Sequence, residues 1–193
     1  MNSSFKTLEN QINIILAQLP QPNNLIINYE FSLILDKLNI PETAKTACLS
    51  IDTAMKHLDR ISYYNYDRDA ILIGDLLSAH YYQLLSELED ITFHMRMSQT
   101  IIKINELKSH IQHSKNDLSD YELYHTIFKI ETMVIGTLND IFNLNQDVSH
   151  IYEQIMNQLK VEHLTYLVHH TEDEIRAIID ILQNKQFLME TKI

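Results

Sequence analysis

Apolar residues recur at steps of three and four along most of the chain, the spacing that lines one face of an α-helix. The pattern predicts about eight helices. Their apolar stripes run through residues 4–19, 27–38, 44–61, 71–88, 93–111, 127–141, 151–166 and 175–182. The connections between them are short, and no internal repeat or low-complexity run separates the stripes. We therefore expect a helical bundle that forms one domain, residues 1–193.

Polar residues at helix ends support this division. A proline-containing segment at residues 20–24 ends the first helix, and a polar run at residues 62–66 ends the third. Asp67 is a candidate N-cap for the fourth helix, because its side chain can accept a hydrogen bond from a free backbone N–H. Ser119 with Glu122, and Thr171 with Glu174, match the capping-box pattern that opens a helix.

The composition favours an all-α fold. The chain has two glycines and three prolines in 193 residues, fewer than sheets and loop-rich folds need for their turns. The single cysteine, Cys48, cannot form an internal disulfide. It fits a reducing compartment and a buried position on a helix.

The formal net charge of −11 disfavours nucleic acid as a partner, since a nucleic-acid site needs basic patches. The first residues lack the basic segment and apolar run of a secretory signal. No apolar run reaches the roughly 18–20 residues that a membrane-spanning helix needs. We expect a cytoplasmic protein without a transmembrane segment.

The central stretch, residues 71–108, carries the candidate functional residues. Gly74 lies inside an apolar helix, where glycine costs about 0.5–1 kcal/mol relative to alanine. The usual reason for such a glycine is the close approach of another backbone. Asp75, Ser78, Tyr81 and Tyr82 follow it within two to three turns. The segment is either a contact surface for another subunit or a face for packing inside the chain.

This stretch resembles component 1 of heptaprenyl (or hexaprenyl) diphosphate synthase, the small subunit of two-component bacterial trans-polyprenyl diphosphate synthases. The matching motifs are residues 74–78 (GDLLS), the Tyr81-Tyr82 pair, Asp90-Ile91 and residues 104–108 (INELK). The resemblance is densest over residues 47–108. It implies a shortened form of the all-helical isoprenoid synthase fold.

The aspartate motifs of complete trans-prenyl synthases are missing. Those enzymes hold Mg²⁺ between two DDxxD motifs, because Mg²⁺ prefers several oxygen ligands. At the position of the first motif, residues 58–62 (LDRIS) keep only Asp59, and Arg60 adds a positive charge. The nearest match to the second, residues 139–143 (NDIFN), keeps only Asp140. No glycine precedes Gly74, so the family's glycine-lysine-arginine segment for isopentenyl diphosphate is absent. We expect no catalytic and no metal-binding residue in this chain.

The resemblance implies an enzyme subunit that is not catalytic alone. Its partner, component 2, carries both aspartate motifs and is expected to bind Mg²⁺ and the prenyl diphosphate chain. Together they would extend farnesyl diphosphate with isopentenyl diphosphate to a hexaprenyl or heptaprenyl product for menaquinone. Gly74, Asp75, Ser78, Tyr81 and Tyr82 are candidates for the subunit interface or the rim of the chain-length tunnel.

Two other classes of function remain open at this stage. One is a helical protein-interaction module without prenyl chemistry. The other is a metal protein, since Glu122 and His125 form one E-x-x-H motif of di-iron bundles, and His110 and His113 have zinc-like spacing. A di-iron site needs two E-x-x-H motifs, whereas the chain offers one and a looser match at residues 147–150. Iron analysis of the purified chain would separate the two classes.

Overall fold

A computed structural model describes residues 3–17, 25–63, 68–114, 118–144 and 148–184. Within these ranges the chain forms eight α-helices, one short 3-10 helix and no β-strand. The helices are α1 (Ser4–Leu16), α2 (Tyr29–Lys37), α3 (Glu42–Tyr63), α4 (Arg68–Leu88), α5 (Ile91–His113), α6 (Asp120–Phe142), α7 (Ser149–Asn157) and α8 (Glu172–Leu182), with the 3-10 helix at Val161–His163 between the last two. The predicted all-α class is confirmed.

The first compact unit, residues 1–90, contains α1 to α4. Its core is built around α3, whose buried face carries small residues (Ala44, Ala47, Cys48 and Ala54). α4 packs on α3 with larger buried side chains, including Ile73 and Leu77, and the Ser50 hydroxyl of α3 donates to the Leu77 carbonyl at 2.9 Å. Cys48 is buried and unpaired, as the sequence predicted.

The second compact unit, residues 91–193, contains α5 to α8. Phe93, Met97 and Ile104 of α5 are buried, as are Ile127 and Leu138 of α6. Inside this core the hydroxyls of Thr100 and Thr137 hydrogen-bond across the two helices at 2.7 Å. The expectation of one domain over residues 1–193 stays a prediction.

Both predicted capping boxes are present. Ser119 Oγ accepts from the Glu122 backbone N–H, and the Glu122 carboxylate accepts from the Ser119 N–H. Thr171 and Glu174 make the same pair of bonds at the start of α8. Local side-chain chemistry therefore determines where these two helices begin.

Three predicted helix ends are wrong. α1 ends at Leu16, before the expected end at Leu19. α3 continues through Tyr63, beyond the expected break at Ser62. α7 ends at Asn157, although the apolar spacing in the sequence predicts a helix that continues to Tyr166. Backbone N–H groups of Gln158 and Leu159 close the last turn on carbonyls of α7, and the chain then becomes extended at Lys160. Predictions for Leu19, Asp67 and residues 64–66, 115–117 and 145–147 lie outside the described residues.

Candidate functional site

Gly74 lies on the face of α4 that packs on α3. A Cβ atom at Gly74 would lie 2.6 Å from both Cγ and Cδ2 of Leu58, and 3.4 Å from the carbonyl oxygen of Ala54. A carbon–carbon distance of 2.6 Å is a steric clash. Gly74 therefore allows α3 and α4 to approach closely inside the chain, which is the packing role that the sequence left open.

Ser78 is satisfied within its own helix. Its hydroxyl donates a hydrogen bond of 2.8 Å to the carbonyl oxygen of Gly74, one turn earlier. This bond gives the half-buried side chain a local partner. The Gly74 carbonyl oxygen therefore accepts a hydrogen bond from the Ser78 hydroxyl.

Tyr81 is buried, with 1% of its surface exposed. Its hydroxyl has no hydrogen-bond partner among the described residues. Burial raises the pKa of Tyr81 far above its ordinary value, and nearby Cys48 and Tyr82 raise it further. Burial likewise raises the pKa of the Cys48 thiol. Both groups therefore stay protonated at neutral pH, so neither supplies a nucleophile or a base.

Asp75 and Tyr82 are the outward members of the predicted set. Asp75 is exposed, and Tyr82 has 60% of its surface exposed while its ring lies 5.3 Å from that of Tyr81. Leu72, one turn before Asp75, is also exposed. The five predicted residues thus divide into an inner group that packs or bonds within the chain and an outer pair that faces away from it.

Asp140, the aspartate kept in the nearest match to the second motif, faces a cation of this chain. Asp140 Oδ2 accepts a hydrogen bond of 2.7 Å from the Arg96 guanidinium. On α3, Asp52 lies 3.3 Å from the Lys56 ammonium, and both side chains are mostly buried. Across the described residues, no group of three or more His, Cys, Asp or Glu side chains is placed to hold a metal ion.

The histidines considered as metal ligands have local partners. A Ser114 hydroxyl lies 3.3 Å from His110, and the Ser109 carbonyl lies 2.8 Å from His113. Glu122 is occupied by its capping box, and the bonds from Ser119 lower the pKa of its carboxyl.

One surface was not singled out from the sequence. Ile91, Met95 and Ile102 of α5 are all strongly exposed. The signal was present, since these residues follow one another at steps of four and seven along a helix. It was missed because the core stripe of the same helix matched the expected pattern equally well.

The fold and these contacts define a protein of the helical prenyl-synthase class in which the described residues assemble no metal cluster. The chain belongs to the family of the hexaprenyl diphosphate synthase small subunit, whose family model matches residues 2–135. It is also similar to a crystal structure of heptaprenyl diphosphate synthase from Staphylococcus aureus. The two chains are 36% identical, with a TM-score of 0.79, over 93% of this chain and 97% of that chain. Both findings confirm the resemblance and the fold class.

Proposed function

We propose that this chain is the non-catalytic small subunit of a heteromeric all-trans hexaprenyl or heptaprenyl diphosphate synthase. The complex extends farnesyl diphosphate with isopentenyl diphosphate units in the cytoplasm and supplies the side chain of menaquinone. The large subunit carries the aspartate motifs, Mg²⁺ and the diphosphate groups. This chain completes the assembly in which the product grows.

Membership of a small-subunit family carries the proposal, and the pairing of Asp140 with Arg96 supports it. Ionisation of an allylic diphosphate leaves a strongly anionic group, which metal ions stabilise in the transition state. A carboxylate that already faces a guanidinium attracts Mg²⁺ less. Asp52 faces Lys56 in the same way on α3. Metal-assisted ionisation therefore belongs to the partner.

An apolar wall is what a helical subunit can contribute to chain elongation. Each buried methylene contributes about 0.8 kcal/mol, so apolar side chains stabilise a growing prenyl chain and a bulky one stops it. Product length then depends on the wall that both subunits form together. Forming such an apolar wall does not require a basic residue in this chain.

The five residues of α4 receive different roles within this proposal. Asp75 and Tyr82 contact the large subunit, since both are exposed on one side of the helix. Gly74 sets the distance between α4 and α3, whereas Ser78 is hydrogen-bonded within α4. Tyr81, buried with its ring 5.3 Å from that of Tyr82, supports this outer pair from inside the chain.

A prenyl-transfer assay tests the proposal. Three samples are compared: this chain, an aspartate-rich large subunit of the two-component synthase, and the mixture. Each receives labelled isopentenyl diphosphate, farnesyl diphosphate and Mg²⁺. We expect activity in the mixture alone, and the length of the product then distinguishes a hexaprenyl from a heptaprenyl synthase.

Two outcomes would contradict the proposal. Activity of this chain alone would show that it holds a metal site of its own. No activity in the mixture, with no complex on gel filtration, would favour a helical interaction module without prenyl chemistry. A large subunit with one aspartate motif changed to alanine is the control, and it should abolish activity without preventing assembly.

A further inference from the structure

α5 has apolar residues on two opposite sides. Its inner stripe, which includes Phe93, Met97 and Ile104, is buried. Each residue turns about 100° around a helix axis, which places Ile91, Met95 and Ile102 almost diametrically opposite that stripe. Both sides of the helix therefore carry large aliphatic side chains.

The second side is open to solvent within the described residues. Ile91 has 74% of its surface exposed, and Met95 and Ile102 have 59% each. Ser98 and Asn105 complete this side at steps of four and three. We name these five residues the outer α5 face. It extends over about 21 Å of helix and contains no charged side chain.

A surface helix of a globular protein normally carries polar and charged residues opposite its core. Single exposed aliphatic residues are ordinary, but three large apolar side chains along one uncharged side of a helix are typical of an interaction surface. The steps of four and three match the spacing at which one helix packs against another. Ser98, a small residue in the middle of the row, allows the partner helix to come close.

We infer that the outer α5 face docks against an apolar, uncharged helix of the catalytic large subunit. The inference rests on the proposed function, since the small-subunit family implies a larger partner. A second copy of this chain fits less well. Each copy has a formal net charge of −11, so pairing two copies brings like charges together.

The charges beside this face are already engaged. Arg96 bonds to Asp140, and Lys103 lies 3.0 Å from the Glu106 carboxylate. The outer α5 face can therefore bind through apolar contact and shape complementarity, but it exerts little long-range electrostatic attraction. We expect the affinity of the complex to depend weakly on salt and strongly on the side chains of this row.

The test is the affinity of purified variants for the large subunit, measured by biolayer interferometry. Ile102→Glu places a charge on the outer α5 face and should weaken binding by about tenfold or more. Ile181→Glu is the matched control, because Ile181 is an exposed isoleucine on α8. It should leave the affinity within about twofold. Hydrogen exchange should slow over residues 91–105 when the large subunit is added.

A fold check separates binding from stability. Both residues are exposed, so both variants should melt within a few degrees of the wild type. An affinity of Ile102→Glu equal to that of Ile181→Glu would overturn the inference. So would a stable dimer of the free chain that Ile102→Glu dissociates, because a second copy would then occupy the face. If the wild-type mixture is active while Ile102→Glu binds normally, only this inference fails and the proposed function stands.

Discussion

At the scale of single residues, Gly74 shows how one missing side chain determines a helix distance. The position tolerates no Cβ without movement of Leu58, whose Cγ would lie 2.6 Å away. The glycine was found in the sequence because it interrupts an apolar helix. The contact with Leu58 could not be predicted, because no pattern within α3 or within α4 shows that residues 58 and 74 lie side by side.

Gly74→Leu should lower the free energy of unfolding by about 1–3 kcal/mol, because the larger side chain overpacks the contact with α3. Urea denaturation measures the change. Leu58→Ala should recover part of the loss in the double variant, since it removes the clashing atoms. An equal cost in both backgrounds would show that Leu58 does not limit the position. Weaker pairing of Gly74→Leu with the large subunit is also expected, as a consequence of the displaced α4.

His80 gives the first unit a pH-dependent stability. Burial lowers the pKa of His80, and the carboxylate of Glu87 opposes that shift. The ring nitrogen Nε2 lies 3.0 Å from Gln11 Oε1 on α1. Since the folded chain disfavours the charged ring, the unfolded chain binds more protons as pH falls through the histidine range. Stability is therefore present above the unfolded pKa and decreases below it.

The prediction for His80 is that unfolding free energy decreases between about pH 8 and about pH 5.5, and that His80→Gln reduces the decrease. Urea titrations at both pH values measure it. His94→Gln, an exposed position on α5, is the matched substitution and should keep the wild-type slope. If the unfolding free energy of His80→Gln changed with pH as much as that of the wild type, other groups would be responsible for the pH dependence.

At the scale of elements, the end of α7 shows where periodicity misleads. Tyr166 continued the apolar spacing of the helix, yet it lies beyond the 3-10 helix and is buried by contacts with other elements. Its hydroxyl donates to Glu131 on α6 at 2.9 Å, and the Lys108 ammonium lies 5.2 Å from its ring centre. Tyr166 therefore packs through these tertiary contacts and not as part of α7, although its spacing matches that helix.

Tyr166→Phe should destabilise the chain by about 1–2 kcal/mol, because it removes a hydrogen bond to a half-buried carboxylate. Denaturant unfolding gives the value, and hydrogen exchange should quicken over residues 158–170. Tyr121→Phe, at an exposed tyrosine of α6, is the control and should change stability by less than about 0.5 kcal/mol. A loss no larger than the control would remove Tyr166 as the anchor of this segment.

At the scale of the whole molecule, the proposed division of chemistry between two chains predicts where Mg²⁺ binds. Isothermal titration of Mg²⁺ with a non-hydrolysable farnesyl diphosphate analogue into this chain alone should give no saturable heat. The large subunit and the complex should both give it. Arg96→Gln frees the Asp140 carboxylate but supplies no further ligand, so it should not create binding. Saturable heat from the wild-type small subunit would place a metal site in it.

The sequence by itself determined the all-α class, seven of the eight helices to within a few residues, both capping boxes, the loss of the aspartate motifs and the family. These depend on side-chain spacing within four residues or on short motifs, which are local. Only the tertiary structure decided which of the five α4 residues face outward, which cations neutralise Asp52 and Asp140, where α7 ends, and that α5 keeps an uncovered apolar side. Burial and pairing are set by residues distant in sequence, and periodicity along one helix carries no information about which neighbour will cover it.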